Sequence, residues 1–201
     1  MTIRLLVTGF TPFPGAPHNP TEHLIRHFEA NPPLDGMDVD CRFAVLPVDY
    51  TNAIPALEAV ANGFEPHVAV HFGLSRKAEG FRLERLARNG IASGVPDNAG
   101  KNPDASPIRA GTADIPSSLP LVRIAEALEE RGHAVQWSDD AGGYLCNYVF
   151  FHSAAGLCRG LAAPVSGFVH VGAARAAGDF NKLVEGAETI LEICVSEARG
   201  R

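Results

Sequence analysis

Cysteine is scarce in this chain of 201 residues: Cys41, Cys146, Cys158 and Cys194 stand far apart and form no C-x-x-C pair. Scattered thiols without an export signal do not make a disulfide framework, and free thiols in a reducing cytoplasm are the expectation. Basic residues are also in deficit. Lys and Arg number 17 against 23 Asp and Glu, for a net charge of −6 and a pI near 5.7. No basic stripe exists to neutralise phosphates, which argues against a nucleic-acid or anionic-membrane partner. No apolar run approaches the roughly 20 residues that span a bilayer. The opening "MTIRLLVTGF" carries one Arg and a short apolar stretch, then enters Pro-rich sequence without a small-residue cleavage site. It reads as a first strand, not as a signal peptide. Repeats, low-complexity tracts and composition breaks are absent too, so one domain over residues 1–201 is expected.

What is present is ordinary globular material, 46% hydrophobic and 20% charged. The apolar runs "IRLLVTGF", "CRFAVLPV", "HVAVHFGL" and "SGFVHVG" read as buried strands, and "FRLERLARN" and "HAVQWSDD" as strands with polar positions. Between them, helices are expected from Pro20 to about Phe28, over "YTNAIPALEAVANG", over "SSLPLVRIAEALEERG" with Ser at its start, over "GGYLCNYVFFHSAAGLCRG", and over "FNKLVEGAETILEICVSEARG". "SGVPDNAGKNPDASPIRAGT" is a long loop, and such loops are often functional. Strands alternating with helices predict an α/β fold, a three-layer α/β/α sandwich around a largely parallel or mixed sheet. Ligands then bind beyond the carboxyl ends of strands, here the loops after Phe10, Leu74, Asp140 and His170.

In "DDAGGYLCNYVFFH", Cys146 opens a helix behind Gly142 and Gly143. It is either small core filler or a thiol whose thiolate the helix N-terminus favours, with bare backbone N–H groups for an oxyanion. Cys158 and Cys194 read as core filler and Cys41 as structural. His152, six positions beyond Cys146, lies about 120° away around the helix and cannot face the thiol. His23 and His27 are spaced for zinc, but Glu22 precedes His23 and H-E-x-x-H is absent, so a solvated face is the simpler reading. His71 reads as a core histidine. His170 ends a strand where a parallel sheet puts its site. Glu84 lies within a sheet strand, where carboxylates are disfavoured, and needs a partner: His170, or one of Arg82, Arg85 and Arg88.

Together these segments resemble pyroglutamyl peptidase I, a family of cysteine peptidases, collinearly over nearly the whole chain. The resemblance is carried by "LLVTGFTPFPGAPHNPTE", "VLPVDY", "FGLSRKAEGFRLERLARN", "VPDNAGKNPDASPI", "SDDAGGYLCN" and "GFVHV". It implies that Cys146 is the nucleophile, His170 the base and Glu84 the group orienting His170. It also implies that Phe10 and Phe13 hold the substrate ring, that Tyr144, Leu145 and Val95 line the pocket, and that Asn19 supports the first loop. The implied substrate is a peptide blocked by an N-terminal 5-oxoproline ring, cleaved through a thioester, and the resemblance implies no metal or cofactor. A dimer or tetramer is implied by analogy.

The chain departs from the family pattern on its loops. Gly94 stands where an Arg is usual, Gly172 where a Pro follows His-Val, "SRK" where Gly-Gly-Arg is common, and Pro14 where the first loop has a glycine. These departures keep open a thiol amidase acting on a different small cyclic or acylated substrate. An idle binding protein is disfavoured by the intact Cys146, His170 and Glu84. A nucleoside phosphorylase is disfavoured by the lack of a phosphate-cradling loop.

Overall fold

The computed structural model describes residues 1–92, 94–174 and 178–201. Its elements run β1 (Ile3–Phe10), α1 (Pro20–Ala30), β2 (Val39–Leu46), α2 (Ala53–Ala61), β3 (Val68–Leu74), β4 (Phe81–Glu84), β5 (Leu86–Ala87), β6 (Ile115–Pro116), α3 (Leu121–Glu130), β7 (Val135–Ser138), α4 (Leu145–Ala154), β8 (Val165–Val171) and α5 (Asp179–Arg199). Six strands form one sheet in the order β2-β1-β3-β8-β4-β7, and β5 pairs with β6 in a two-stranded ribbon. All neighbours in the large sheet are parallel except β4 and β8.

The near-continuous apolar runs of β1, β3 and β8 form the centre because both of their faces are covered. Leu24 and Phe28 of α1, Ile124 of α3 and Ile190 of α5 pack on one face. Leu57 of α2 and Val149 and Phe150 of α4 pack on the other, together with Phe168 of β8. No helix among the described residues is long and apolar enough to cross a membrane.

Three local expectations are corrected. "FRLERLARN" is not one strand: β4 stays in the large sheet while β5 leaves it to pair antiparallel with β6. No serine caps α3. Pro120 stands at its N-cap, and the Ser118 hydroxyl instead donates to the Ser166 carbonyl at 3.1 Å, tying the chain to β8. The helix after Gly143 stops at Ala154, so Cys158 is buried beyond its end and not within it.

His71 is fully buried in β3, with Thr8 Oγ1 at 2.8 Å and Ser153 Oγ at 2.9 Å from its two ring nitrogens. Burial lowers its pKa to about 4. An unfolded chain protonates this ring near 6.5, so the folded state loses stability as pH falls from there toward 4, by about 3 kcal/mol across the window. In His71→Gln that share of the acid destabilisation is expected to vanish. Urea unfolding of both proteins at pH 7 and pH 4.5 checks it; parallel losses in the two would refute it.

Candidate active site

The sheet register assembles the polar groups. His170 in β8 pairs with Gly73 in β3 on one side and with Arg82 in β4 on the other. Glu84 pairs with Phe168. Alternation along strands therefore puts His170, Phe168, Arg82, Glu84 and Gly73 on the same face, the one that α4 covers. On that face Glu84 is fully buried, and its Oε1 lies 2.7 Å from His170 Nδ1 and 3.3 Å from Arg82 Nε. The two partners weighed for Glu84 are thus both present.

Cys146 reaches the group from the first turn of α4. Gly142 takes a left-handed φ of 84°, and a Cβ on Gly143 would come within 2.7 Å of the Ala92 backbone. Only glycine fits both the turn and that close approach. The thiol lies over β3, where a Cβ on Gly73 would meet Phe168 Cζ at 2.6 Å and Cys146 Sγ at 2.9 Å. Cys146 and His170 line the same cleft, and the sulfur lies close enough to the imidazole to influence its proton. With Nδ1 committed to Glu84, Nε2 is the ring nitrogen left for the sulfur. Burial on its own lowers the His170 pKa. The Cys146 thiolate, hydrogen bonds to Cys146 and Glu84, and the Glu84 charge outweigh burial and raise it to about 9.

Cys146 and His170 line a cleft of about 490 Å³, with Glu84 buried behind His170. Its wall comes from the loops after β1, β3 and β7 and from the end of β8, as the strand-end argument expects. A larger hollow of about 690 Å³ adjoins it beyond Arg76 and Lys77, but holds none of the three. Phe10, Phe13, Asn19, Tyr144 and Leu145 all line the smaller cleft. Phe13 and Tyr144 stand 6.3 Å apart by ring centroids, and Phe10 packs on Phe168 at 6.2 Å. Asn19 caps α1 by accepting from Thr21 N and donates to the Thr11 carbonyl, so it braces the loop carrying Phe13. The Tyr144 hydroxyl donates to the Pro96 carbonyl at 3.1 Å. Its pKa is raised to about 12, chiefly by burial and then by Asp97, Tyr50 and Cys146.

Val95 is the exception. It is half exposed and does not line the cleft. The reason is local: Gly94 before it takes a left-handed φ of 61° in open space, a path that an arginine would follow only with strain. The other arginines near the site are occupied. Arg85 forms a paired ion bridge with Asp139, and Arg88 donates to the Asp139 carbonyl at 2.8 Å. Among the described residues no cluster of three His, Cys, Asp or Glu could hold a metal ion.

Four residues escaped the sequence reading as parts of the site. Arg82, weighed only as an ion partner, lines the cleft itself. Asn147 is fully buried and holds residues 88–90 against α4, accepting from Arg88 N at 2.9 Å and donating to Arg88 O and Gly90 O. A buried amide in an apolar helix is the signal it carried. Tyr50 stands edge-on to Tyr144 at 5.9 Å. Gly73 was visible as a glycine inside an apolar strand, which marks close approach of another group. Gly73→Ala is expected to displace Phe168 and the thiol, lowering stability by about 1–3 kcal/mol and most of the thiol's alkylation rate. Thermal melts and iodoacetamide kinetics check this, and an unchanged protein would contradict the close packing.

The family described as pyroglutamyl peptidase matches residues 3–189. The pyrrolidone-carboxylate peptidase of Pyrococcus furiosus is 38% identical over 174 residues, covering 84% of this chain and 80% of that protein. The pyrrolidone-carboxylate peptidase of Oceanobacillus iheyensis is 30% identical over 197 residues, covering 96% and 97%. Among solved structures, the pyrrolidone carboxyl peptidase of P. furiosus superposes with a TM-score of 0.83 at 31% identity, covering 98% of this chain and all of that one.

Proposed function

The chain belongs to the pyroglutamyl peptidase family and removes an N-terminal pyroglutamyl residue from peptides, and from that premise we propose that Cys146, His170 and Glu84 carry the reaction. The observation that supports this most is that Cys146 and His170 line one aromatic-walled cleft while a buried carboxylate, Glu84, holds Nδ1 of His170 from behind. Phe10, Phe13, Tyr144 and Leu145 receive the 5-oxoproline ring, which is flat, uncharged and mostly apolar.

The Cys146 thiolate attacks the carbonyl carbon that joins the ring to the next residue. The first-turn N–H groups of α4 have no intrahelical acceptor and stand ready for the tetrahedral oxyanion. His170, an imidazolium up to about pH 9, gives its proton to the leaving amine as the C–N bond breaks and the thioester remains. The neutral imidazole then takes a proton from water, which attacks the thioester and frees pyroglutamate and the thiol. Glu84 holds Nδ1 of the ring throughout, fixing which nitrogen faces the sulfur. No step calls for a metal or cofactor.

Residues 1–201 acting as one domain, a cytoplasmic setting and a dimer or tetramer complete the proposal. The free state of all four cysteines suits a reducing compartment, and sedimentation of the purified protein tests the oligomer. The activity itself is tested with pyroglutamyl-aminomethylcoumarin. Hydrolysis is expected, with a rate that falls as pH rises through about 9 and His170 loses its proton. An enzyme that spares this substrate and cleaves other N-acyl amides instead would replace the proposal with a thiol amidase of different specificity.

A further inference from the structure

Glu84 is a fully buried carboxylate whose Oε2 has no hydrogen-bond partner among the described residues. All of its compensation falls on Oε1, which His170 and Arg82 share. A buried charge needs a partner at every stage of a reaction, or it takes up a proton. In the mechanism above, His170 is cationic before the leaving amine departs and neutral afterwards. During the second half Glu84 would face only a neutral ring, were it not for Arg82.

Resting on that assignment of Cys146, His170 and Glu84, we propose that Arg82 is a positioning residue: a standing cation that keeps Glu84 ionised while His170 gives up and regains its proton. The guanidinium suits the task. It stays charged at any working pH. It sits across from His170 in the sheet, and it is held in place by Ser138 Oγ at 2.7 Å and the Asp140 carbonyl at 3.3 Å. The other groups around the pair do not replace it. From α4 comes Cys146, itself anionic in the reacting state. From β3, beyond Phe168, comes His71, neutral above about pH 4. Asp140, on the loop after β7, is negative and faces Arg88 at 3.8 Å. Arg76 and Lys77 stand at the exposed rim of the cleft, and Arg76 reaches away to the Gly15 carbonyl. Arg85 is bound to Asp139.

Removing a cation makes every neighbouring group hold its proton more tightly. Arg82, 3.3 Å from Glu84, acts on His170 through the Oε1 that both share, and a charge change so close to an ion pair moves a pKa by about one unit. Arg82→Gln is therefore expected to shift both limbs of the pH–rate profile upward by about one unit, with kcat lowered more than KM is raised. Arg82→Lys should restore most of the shift. Ser138→Ala loosens the same brace but keeps the charge, and should leave both limbs where they are. The pH dependence of Cys146 alkylation by iodoacetamide gives the same shift without turnover, and Arg82→Met supplies a second neutral variant if Arg82→Gln does not fold. Limbs that stay in place in both neutral variants, with activity merely reduced, would overturn the role and leave Arg82 a brace. A wild type whose activity does not follow Cys146 alkylation would overturn the underlying assignment instead, so the two failures read differently.

Discussion

Cys146→Ala is expected to fold like the wild type and to lose pyroglutamyl peptidase activity by about 10,000-fold or more, because no other group can form the thioester. The side chain is small and only partly buried, so its loss opens little cavity. Mild iodoacetamide should reproduce the loss by labelling one site. Burial, with Asp40 adding to it, pushes Cys41 up to about 11. Burial and then Glu58 push Cys158 up to about 12, and full burial raises Cys194 further. None of those three offers much thiolate at neutral pH. Peptide mapping of the labelled protein, with kcat/KM of the variant, decides the matter. Activity lost through a label on Cys41, Cys158 or Cys194, or retained in Cys146→Ala, would sink the assignment.

Glu84→Gln is expected to keep the fold and to lower kcat by as much as about 10,000-fold, the loss seen when the carboxylate behind a catalytic histidine becomes an amide. The amide retains the shape and an acceptor for His170 Nδ1, and Arg82 keeps Ser138 Oγ and the Asp140 carbonyl as partners, so the fold is expected to persist. What disappears is the anion that helps hold His170 protonated. The His170 pKa should drop, and the basic limb should move down from about 9. That displacement is opposite in sign to the one expected for Arg82→Gln, so the two variants test the pair from both sides. Near wild-type turnover with an unmoved limb would leave Glu84 as the ion partner of Arg82 and nothing more. Comparing kcat–pH profiles of the two proteins, alongside their thermal melts, gives the answer.

The sequence by itself determined the layers and the ends at which chemistry gathers. Buried strands announce themselves as apolar runs, and helices as periodicity or as segments between them. A parallel sheet sends its loops to one edge, so the sequence alone places the site's borders at Phe10, Leu74, Asp140 and His170. The cleft is lined from those places. Cys146 was marked by its glycines. The residues alone allow either filler or nucleophile at Cys146, and the family resemblance favours the nucleophile.

Tertiary structure decided what depends on register and close approach, since neither leaves a mark in local sequence. Whether Glu84 meets His170 or an arginine turns on β4 running antiparallel to β8 with Arg82 opposite His170, and that register gives it both. A strand that slipped by one residue would send Glu84 to the far face. Serine at the start of a helical pattern did not reveal that Ser118 would tie to β8, because a hydroxyl takes the nearest acceptor the fold brings to it. Val95 left the cleft through one left-handed backbone turn at Gly94. Gly73 is required because Phe168 and a sulfur atom from another element come to rest on it, a distance that only the folded chain contains.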